Sequence, residues 1–139
     1  MALAVTKQDI EALISGWPFI RNAGYVVESL GDGECTLRVP FREATERPGG
    51  VVSGPTYMGA ADGAMWIAIL TRLGIDDGSV TSEMKTNFLA GARREDFWCH
   101  AKILKLGRRL IYGVAECTTA DGKLVAHHTL TYFRPEARP

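Results

Sequence analysis

The longest hydrophobic segment of the chain runs from residue 55 to residue 73, PTYMGAADGAMWIAILTRL, where almost every position is apolar or small. Its length and its flanking residues predict a helix. Ser53 and Gly54 can cap its start, Pro55 suits its first turn, and Gly74 is a natural terminator. A surface helix would show a single apolar stripe, whereas this one is apolar all round. We therefore expect a sheet to cover most of its sides, with a partner subunit as a further cover.

Elsewhere the hydrophobic positions alternate with polar ones, which is the period of a strand with one covered face. Cys35, Leu37 and Val39, for example, alternate with Thr36 and Arg38. The strand-like segments are GYVVESLGDGECTLRVPF with a hairpin turn at residues 31–33, SVTSEMKTNFL, FWCHAKILKL, GRRLIYGVAECTT and KLVAHHTLTYF. Between the hairpin and the long helix, REATERPGGVVSG is predicted to be a loop.

A short helix is predicted near the N-terminus, where Thr6 and Asp9 have the spacing of a capping box. Ile10, Leu13 and Ile14 then form its apolar stripe. The order of elements is helix, two strands, one long helix and four strands. The simplest packing of that order is an α+β architecture in which one antiparallel sheet wraps around the long central helix.

The composition is that of a soluble globular protein. The 139 residues suit one domain spanning 1–139, and hydrophobic and charged residues make up 46% and 23% of the chain. The 16 basic and 16 acidic side chains cancel, so no global field favours nucleic acid or an anionic membrane, and no nucleic-acid-binding motif is present. The 55–73 segment carries Asp62, which favours a buried helix over a membrane span.

The cysteines and the N-terminal segment bear on the compartment. Charged residues interrupt the apolar positions of the N-terminal segment, which is therefore not read as a secretory signal. Cys35, Cys99 and Cys117 are odd in number and widely spaced, so they indicate neither a metal site nor a disulfide framework. We expect buried thiols in a reducing compartment, the cytoplasm, with no metal and no cofactor.

Asp62 is the residue of the long helix that needs an explanation. Helical spacing places it on the face of Met58, Met65, Trp66 and Ile69, where an ionised carboxylate is costly unless it has a partner, water or a raised pKa. One interpretation is a buried structural acid that is hydrogen-bonded to backbone or to an arginine. The other is a general base or nucleophile in a cleft. The helix alone does not decide between them.

Three segments together carry a resemblance to a known family: GGVVSGPTYMGAADGAMW, SVTSEMKTNFL and KILKLGRRLIYGVAECTTADGKLVAHHTLTYF. They resemble the hotdog-fold acyl-CoA thioesterases, and among these the phenylacetyl-CoA-type branch. The resemblance extends from about residue 24 to residue 133. It implies a hotdog fold, in which an antiparallel sheet wraps around a long central helix, and hydrolysis of a small or medium acyl- or aryl-CoA thioester.

The resemblance also implies site residues. In the family a His-Gly-Gly opens the central helix and a catalytic Asp or Glu follows nine residues after the His. Asp62 stands nine residues after Ser53 and falls on that carboxylate, with Gly54 on the first glycine. Ser53 stands where the family has its His, Pro55 replaces the second glycine, and Arg47 stands where the family often has an Asn.

Two further positions follow from the same resemblance. A Ser or Thr in the strand after the helix often faces the site, which points to Thr81 and Ser82. The GRRL segment falls where the family places a basic residue near coenzyme A, which points to Arg108.

Thioester hydrolysis needs donors for the developing oxyanion and a group that attacks the carbonyl carbon or activates a water. Pro55 has no N–H, so the backbone N–H of Gly54 is the donor that the resemblance selects. Asp62 lies two turns further along, about 12 Å along the axis, so the two groups of one subunit do not meet one carbonyl. In the family a dimer brings them together. We therefore expect a homodimer, or a tetramer of two dimers, with composite sites at the subunit interface.

The candidates also have simpler interpretations. Ser53 is better explained as an N-cap than as a catalytic residue. Arg47 has a simple interpretation as a solvated loop cation. Alternatively it holds the thioester carbonyl, holds a substrate carboxylate, or pairs with Asp62. Thr81 and Ser82 either orient a water or are ordinary strand hydroxyls. Arg108 either belongs to a solvated rim or meets the phosphates of coenzyme A. Met58, Met65 and Trp66 fit a core better than a pocket, although the helix face around Asp62 must touch any acyl chain.

Two other functions compete with hydrolysis. The first is a non-catalytic acyl or acyl-CoA binding protein on the same fold, which the replacements at Ser53 and Arg47 favour. The second is a hydratase-type hotdog enzyme, but that chemistry pairs an Asp with a His on the central helix, and no His lies within residues 55–73.

Overall fold

A computed structural model describes residues 2–135 of the chain. Two helices come first, α1 (Lys7–Gly16) and α2 (Pro18–Arg21), followed by the strands β1 (Val26–Gly31) and β2 (Glu34–Val39). The long helix α3 (Gly54–Leu73) precedes four long strands. These are β5 (Val80–Phe88), β6 (Phe97–Leu106), β7 (Leu110–Thr119) and β8 (Leu124–Phe133). The predicted loop before α3 holds a 3₁₀ turn (Glu43–Thr45) and a small ribbon of β3 (Glu46–Arg47) with β4 (Val51–Val52), which the sequence pattern did not indicate.

Six strands form one antiparallel sheet in the order β1-β2-β6-β7-β8-β5, and α3 packs against its inner face. The fold predicted from the sequence, an antiparallel sheet around a long central helix, is thereby confirmed. Alternation decides which side chains face α3, because successive residues of a strand point to opposite faces. In β2 the inward residues Cys35, Leu37 and Val39 are all buried.

The ends of the elements follow the predicted signals. Thr6 and Asp9 form the reciprocal capping box of α1, with the Asp9 N–H donating to Thr6 and the Thr6 N–H donating to Asp9. The turn of the first hairpin is Asp32-Gly33, and the N–H of Gly33 donates to Thr71 Oγ1 on α3 at 2.9 Å. This buried hydrogen bond attaches the hairpin to the C-terminal end of the central helix.

Ser53 is the N-cap residue of α3, but it does not cap in the way that was expected. Its hydroxyl forms a 2.6 Å hydrogen bond with Thr56 Oγ1, and no side-chain hydrogen bond to the helix backbone is made from the cap. Pro55 occupies the first turn and Gly74 ends the helix with a positive φ of 92°. The first turn of α3 therefore keeps backbone N–H groups that its cap residue does not use.

Among residues 2–135, no helix is long and apolar enough to span a membrane.

The helix α3 packs closely against the sheet at Gly113 of β7. A Cβ at Gly113 would lie 2.6 Å from the Lys102 carbonyl oxygen and would also overlap the thioether end of Met65. A residue without a side chain is needed there because helix and strand approach each other closely.

We expect Gly113→Ala to lower the free energy of unfolding by about 2 kcal/mol, since overpacking a dense core forces backbone or side chains to shift. Denaturant titration measures this change. Gly16→Ala is the matched control, because a Cβ at Gly16 meets nothing within 4 Å. Equal stability of the two variants would show that Met65 does not pack against β7 in this way.

Candidate active site

Asp62 lies near the middle of α3, and two hydroxyl groups from the sheet bind one of its carboxylate oxygens. Thr81 Oγ1 donates a hydrogen bond to Asp62 Oδ1 at 2.6 Å, and the Tyr132 hydroxyl donates to the same oxygen at 2.6 Å. The Tyr132 hydroxyl also lies 2.9 Å from the backbone carbonyl oxygen of Asp62. Burial, and next the nearby Asp62, raise the pKa of Tyr132 well above its usual value, so its hydroxyl remains a proton donor.

The register of the sheet brings these two hydroxyls together. Thr81 of β5 stands directly opposite Tyr132 of β8, so their side chains emerge side by side on one face. A bulge at Ser82 then interrupts the pairing before it resumes at Glu83. Because the bulge inserts one extra residue, Thr81 shares the inner face with Met84, three positions further on, which strict alternation would forbid.

The second oxygen of the carboxylate is left available. Within residues 2–135, Asp62 forms no ion pair, and Oδ2 receives no hydrogen bond. The two hydrogen bonds to Oδ1 fix the orientation of the carboxylate. A held carboxylate with one unengaged oxygen can accept a proton from water or attack an electrophile.

A pocket of about 530 Å³ opens beside Asp62. Phe19 and Ile20 of α2 and Tyr25 line one side, and Trp66 and Ile67 of α3 line another. Apart from Asp62 its lining is largely apolar, and no Lys, Arg or His among residues 2–135 contributes to it. The pocket therefore suits an uncharged, mainly apolar group placed next to a carboxylate.

Two glycines of α3 make room for this pocket. Tyr25 packs across the helix at Gly59 and Gly63, where an added Cβ would lie 3.3 Å from the Tyr25 hydroxyl and 3.0 Å from its ring. Burial raises the pKa of Tyr25 above its usual value. The small residues one helical turn apart thus allow an aromatic ring to lie directly beside Asp62.

Of the residues singled out from the sequence, Thr81 and Trp66 are brought together with Asp62 at this pocket. Met65 points to the opposite side of the helix, is 1% exposed and packs against Gly113. Met58 is exposed on the surface of α3 and is not part of the pocket lining. Ser82 is the exposed bulge residue of β5.

The remaining candidates lie apart from Asp62. Gly54 is the first residue of α3, beside the Phe88 ring, and Ser53 precedes it. Arg47 is exposed in β3 and forms no ion pair with Asp62 within the described residues. Arg108 is exposed in the turn between β6 and β7. In one chain, then, the helix start and the two arginines do not join the Asp62 pocket.

Sequence reasoning missed Tyr132, Tyr25 and Ser79, all of which line the pocket. The alternating pattern of β8 places Tyr132 on the same face as His128 and Leu130, which is the only signal available for it. Nothing in the pattern indicates that its hydroxyl reaches α3, because that depends on the spacing between helix and sheet. The positions of Tyr25 and Ser79 depend likewise on how loops fold over the helix.

A second group of reactive side chains lies in the core. His128 Nε2 lies 3.6 Å from Cys117 Sγ, and His128 Nδ1 forms a 2.8 Å hydrogen bond with Thr86 Oγ1. The hydrogen bond between the paired thiols lowers the pKa of Cys117 and raises that of Cys99. All three cysteines are free and buried, and neither Cys117 nor His128 lines the pocket. A substrate in the pocket therefore does not reach this pair.

No group of three or more His, Cys, Asp or Glu within residues 2–135 is arranged to hold a metal ion.

Comparison with known proteins relates this arrangement to a family. A model described as "Thioesterase superfamily" matches residues 49–126. A Saccharolobus solfataricus protein named "Putative esterase" is 36% identical over 100 residues, which cover 72% of this chain and 71% of that protein.

Solved structures give the same relation. Zebra fish thioesterase superfamily member 2 superposes with a TM-score of 0.84 at 25% identity, over 97% of this chain and 99% of that one. A mutant of the phenylacetic acid degradation protein PaaI from Thermus thermophilus superposes with a TM-score of 0.76 at 26% identity, over 86% of this chain and all of that one (100%).

Proposed function

The chain belongs to the thioesterase superfamily, and we propose that it hydrolyses the thioester bond of an acyl-coenzyme A with Asp62 as the group that acts on the carbonyl. One observation carries the proposal. Asp62 lies at a largely apolar pocket with Oδ1 held by Thr81 and Tyr132, and with Oδ2 free of hydrogen bonds from the described residues. The pocket takes the acyl group, and the carboxylate acts at its thioester end.

Two chemical routes are open to this carboxylate. Asp62 Oδ2 can take a proton from a water whose oxygen adds to the carbonyl carbon, or it can add to that carbon itself, forming an anhydride that water then cleaves. In both routes the C–S bond breaks, the thiolate leaves and takes up a proton, and a carboxylic acid is released. The Thr81 and Tyr132 hydroxyls orient Asp62 in either case.

The oxyanion requires donors that Asp62 cannot supply. The first turn of α3 offers the backbone N–H of Gly54, together with the positive end of the helix dipole. Gly54 and Asp62 of one chain are about 12 Å apart along the helix axis, which is too far for one carbonyl. A complete site therefore takes Asp62 from one subunit and Gly54 from its partner.

The surface around β5 supports such a dimer. Among the described strands β5 pairs with β8 alone and lies at the edge of the sheet, so its other side presents unpaired backbone groups. Val80, Phe88 and Leu89, in and next to this strand, are 60%, 53% and 57% exposed. Met58 on α3 is also exposed. Since exposed edges and apolar patches mark interaction sites, we propose that a second copy of the chain covers this surface.

The coenzyme A portion would lie outside the pocket, because no cationic side chain in the described part of the chain lines it. Arg108, exposed in the β6–β7 turn, and Arg47, exposed near the start of α3, remain the proposed contacts for its phosphates. Arginine suits this role because its planar guanidinium binds phosphate oxygens in pairs. A non-catalytic acyl-CoA binding protein is the competing function, and the loss of the family's His at Ser53 is the observation that favours it.

We expect Asp62→Asn to lower kcat by about 10³-fold, because the amide can neither accept the proton nor attack the carbonyl. The measurement is thiol release from a panel of short, long and aromatic acyl-CoA thioesters. Asp76→Asn, at an exposed carboxylate in the turn after α3, is the matched control and should turn over at the wild-type rate. Wild-type protein that binds acyl-CoA without turnover would favour the non-catalytic function. Turnover that survives Asp62→Asn would refute the role of Asp62.

We expect Tyr132→Phe to lower kcat about tenfold with little change in KM, since it removes one hydrogen bond that orients Asp62 while leaving the ring in place. Steady-state kinetics on the best acyl-CoA of the panel measures both constants. Tyr112→Phe, on the exposed outer face of the sheet, is the control. A Tyr132→Phe enzyme with unchanged kcat, or with a change in KM alone, would mean that the hydroxyl does not act through Asp62.

We expect the wild-type chain to sediment as a dimer or a larger even assembly of the 15.2 kDa subunit, and Leu89→Asp to shift it towards the monomer with a parallel loss of hydrolysis. Analytical ultracentrifugation measures the mass. Leu104→Asp, at a similarly exposed position of β6 and separated from β5 by two strands, should leave the dimer and its activity intact. Full activity in a monomeric Leu89→Asp protein would rule out the composite site.

A further inference from the structure

The hydroxyl group of Tyr25 is a hydrogen-bond donor at the pocket that the described residues leave unused. Tyr25 lines the pocket together with Asp62, and within residues 2–135 no group forms a hydrogen bond with its hydroxyl. The hydroxyl oxygen is accessible, so a ligand can reach it. Burial above all raises the pKa of Tyr25 well above its usual value, and the hydroxyl therefore keeps its proton at physiological pH.

Two contacts with α3 fix where this hydroxyl lies relative to Asp62. A Cβ at Gly59 would lie 3.3 Å from the Tyr25 hydroxyl oxygen, and a Cβ at Gly63 would lie 3.0 Å from the ring. The ring therefore runs along the helix from Gly63 towards Gly59, with the hydroxyl at the Gly59 end. Gly59 and Asp62 stand three residues apart on one helix face, where Cβ positions are about 5–6 Å apart. A carbonyl group that is attacked from the side of Asp62 Oδ2 thus has its oxygen within reach of the Tyr25 hydroxyl.

The position of Tyr25 is set by the turn that precedes it. Tyr25 follows Gly24, which has a positive φ of 74°, and stands directly before β1. The Arg42 side chain packs over Gly24, 3.7 Å from where a Cβ would be, and its Nη1 donates a hydrogen bond to the Asn22 carbonyl oxygen. A donor that is held in place before the reaction costs no reorganisation when charge develops.

The start of α3 offers one donor for the oxyanion where more than one is needed. The backbone N–H of Gly54 is available, but Pro55 has no N–H. The Thr56 N–H donates to the Ser53 carbonyl oxygen at 3.1 Å, and the Ser53 hydroxyl is hydrogen-bonded to Thr56 Oγ1. An oxyanion in a site without bulk water is stabilised by several converging donors. A second donor must therefore come from another element.

We propose that Tyr25 is a catalytic residue, whose hydroxyl donates a hydrogen bond to the thioester carbonyl oxygen and to the oxyanion formed from it. This inference rests on the hydrolase function proposed above and adds a donor to the same site. One subunit then provides Asp62 and Tyr25, and its partner provides Gly54.

The role of Tyr25 in the reaction is to hold charge, and its proton is not transferred. When water or Asp62 Oδ2 adds to the carbonyl carbon, the π electron pair of the C=O bond moves to the oxygen, which Tyr25 and Gly54 stabilise. When the C=O bond forms again, the C–S bond breaks and the thiolate leaves. The hydrogen bond strengthens as the oxygen becomes charged, so it lowers the barrier more than it tightens substrate binding.

We expect Tyr25→Phe to lower kcat by about 10²-fold with a much smaller change in KM, which is the size of effect of removing one oxyanion donor. The loss should be the same at every pH between about 6 and 9, because a donor that stays protonated contributes equally throughout. Steady-state thiol release measures both, and Tyr112→Phe on the exposed face of the sheet is the control. An unchanged kcat in Tyr25→Phe, or the loss of one limb of the pH profile, would overturn this role.

Infrared spectroscopy of a bound ketone analogue separates this inference from the hydrolase function. The probe is a benzoyl-CoA analogue with a methylene in place of the sulfur and ¹³C at the carbonyl. A hydrogen bond to a carbonyl oxygen lowers its stretching frequency, so the frequency should be lower in wild-type protein than in Tyr25→Phe. That difference supports the contact even if the wild-type protein hydrolyses no thioester, in which case only the hydrolase function fails. Equal frequencies in the two proteins would overturn the role of Tyr25 and leave the hydrolase function standing.

Discussion

The hydrogen bonds from Thr81 and Tyr132 to Asp62 are the interaction on which the rest of the site depends. A carboxylate in an otherwise apolar helix is destabilising unless its charge is compensated. Two hydroxyl groups that donate hydrogen bonds to a single oxygen provide that compensation. An arginine would instead add an opposite charge and neutralise the carboxylate. The two hydroxyl groups also leave the other carboxylate oxygen without a hydrogen bond from the described residues. The same contacts that lower the cost of placing Asp62 in the helix therefore leave one of its oxygens available for reaction.

These contacts impose conditions on the whole fold. The helix must lie close enough to the sheet for a tyrosine of β8 to reach its backbone, and Gly113 permits that approach. Thr81 and Tyr132 must be direct neighbours in the pairing of β5 with β8. The bulge at Ser82 allows Thr81 to face inward while the following residues of β5 keep their own inward and outward faces. On the other side of α3, Gly59 and Gly63 admit Tyr25 and with it the pocket. The spacing of helix and sheet, the bulge in β5 and the glycines of α3 thus all contribute to the surroundings of one carboxylate.

The sequence predicted the features that depend on a local pattern of residues. It did not predict the contacts that depend on the distance between a helix and the sheet. The period of each segment, the capping box at Thr6 and the hairpin turn identified the elements and their order, and Asp62 was conspicuous because its neighbours are apolar. Helical spacing grouped Met65 with Asp62, yet Met65 packs on the sheet, because periodicity alone does not say which part of an all-apolar helix faces the pocket. Tyr132 and Ser79 could not be found from pattern, since they meet Asp62 and its pocket only through tertiary packing.

We propose that Asp62 acts on a thioester carbonyl whose acyl group fills the adjacent pocket. The decisive measurement is a crystal structure with a ketone analogue of benzoyl-CoA, in which a methylene replaces the sulfur so that hydrolysis is impossible. We expect the carbonyl carbon to lie within about 3.5 Å of Asp62 Oδ2 or of a water bound to it, with the ring between Tyr25 and Trp66. An analogue bound with its carbonyl away from Asp62, or outside the pocket, would refute this role of Asp62.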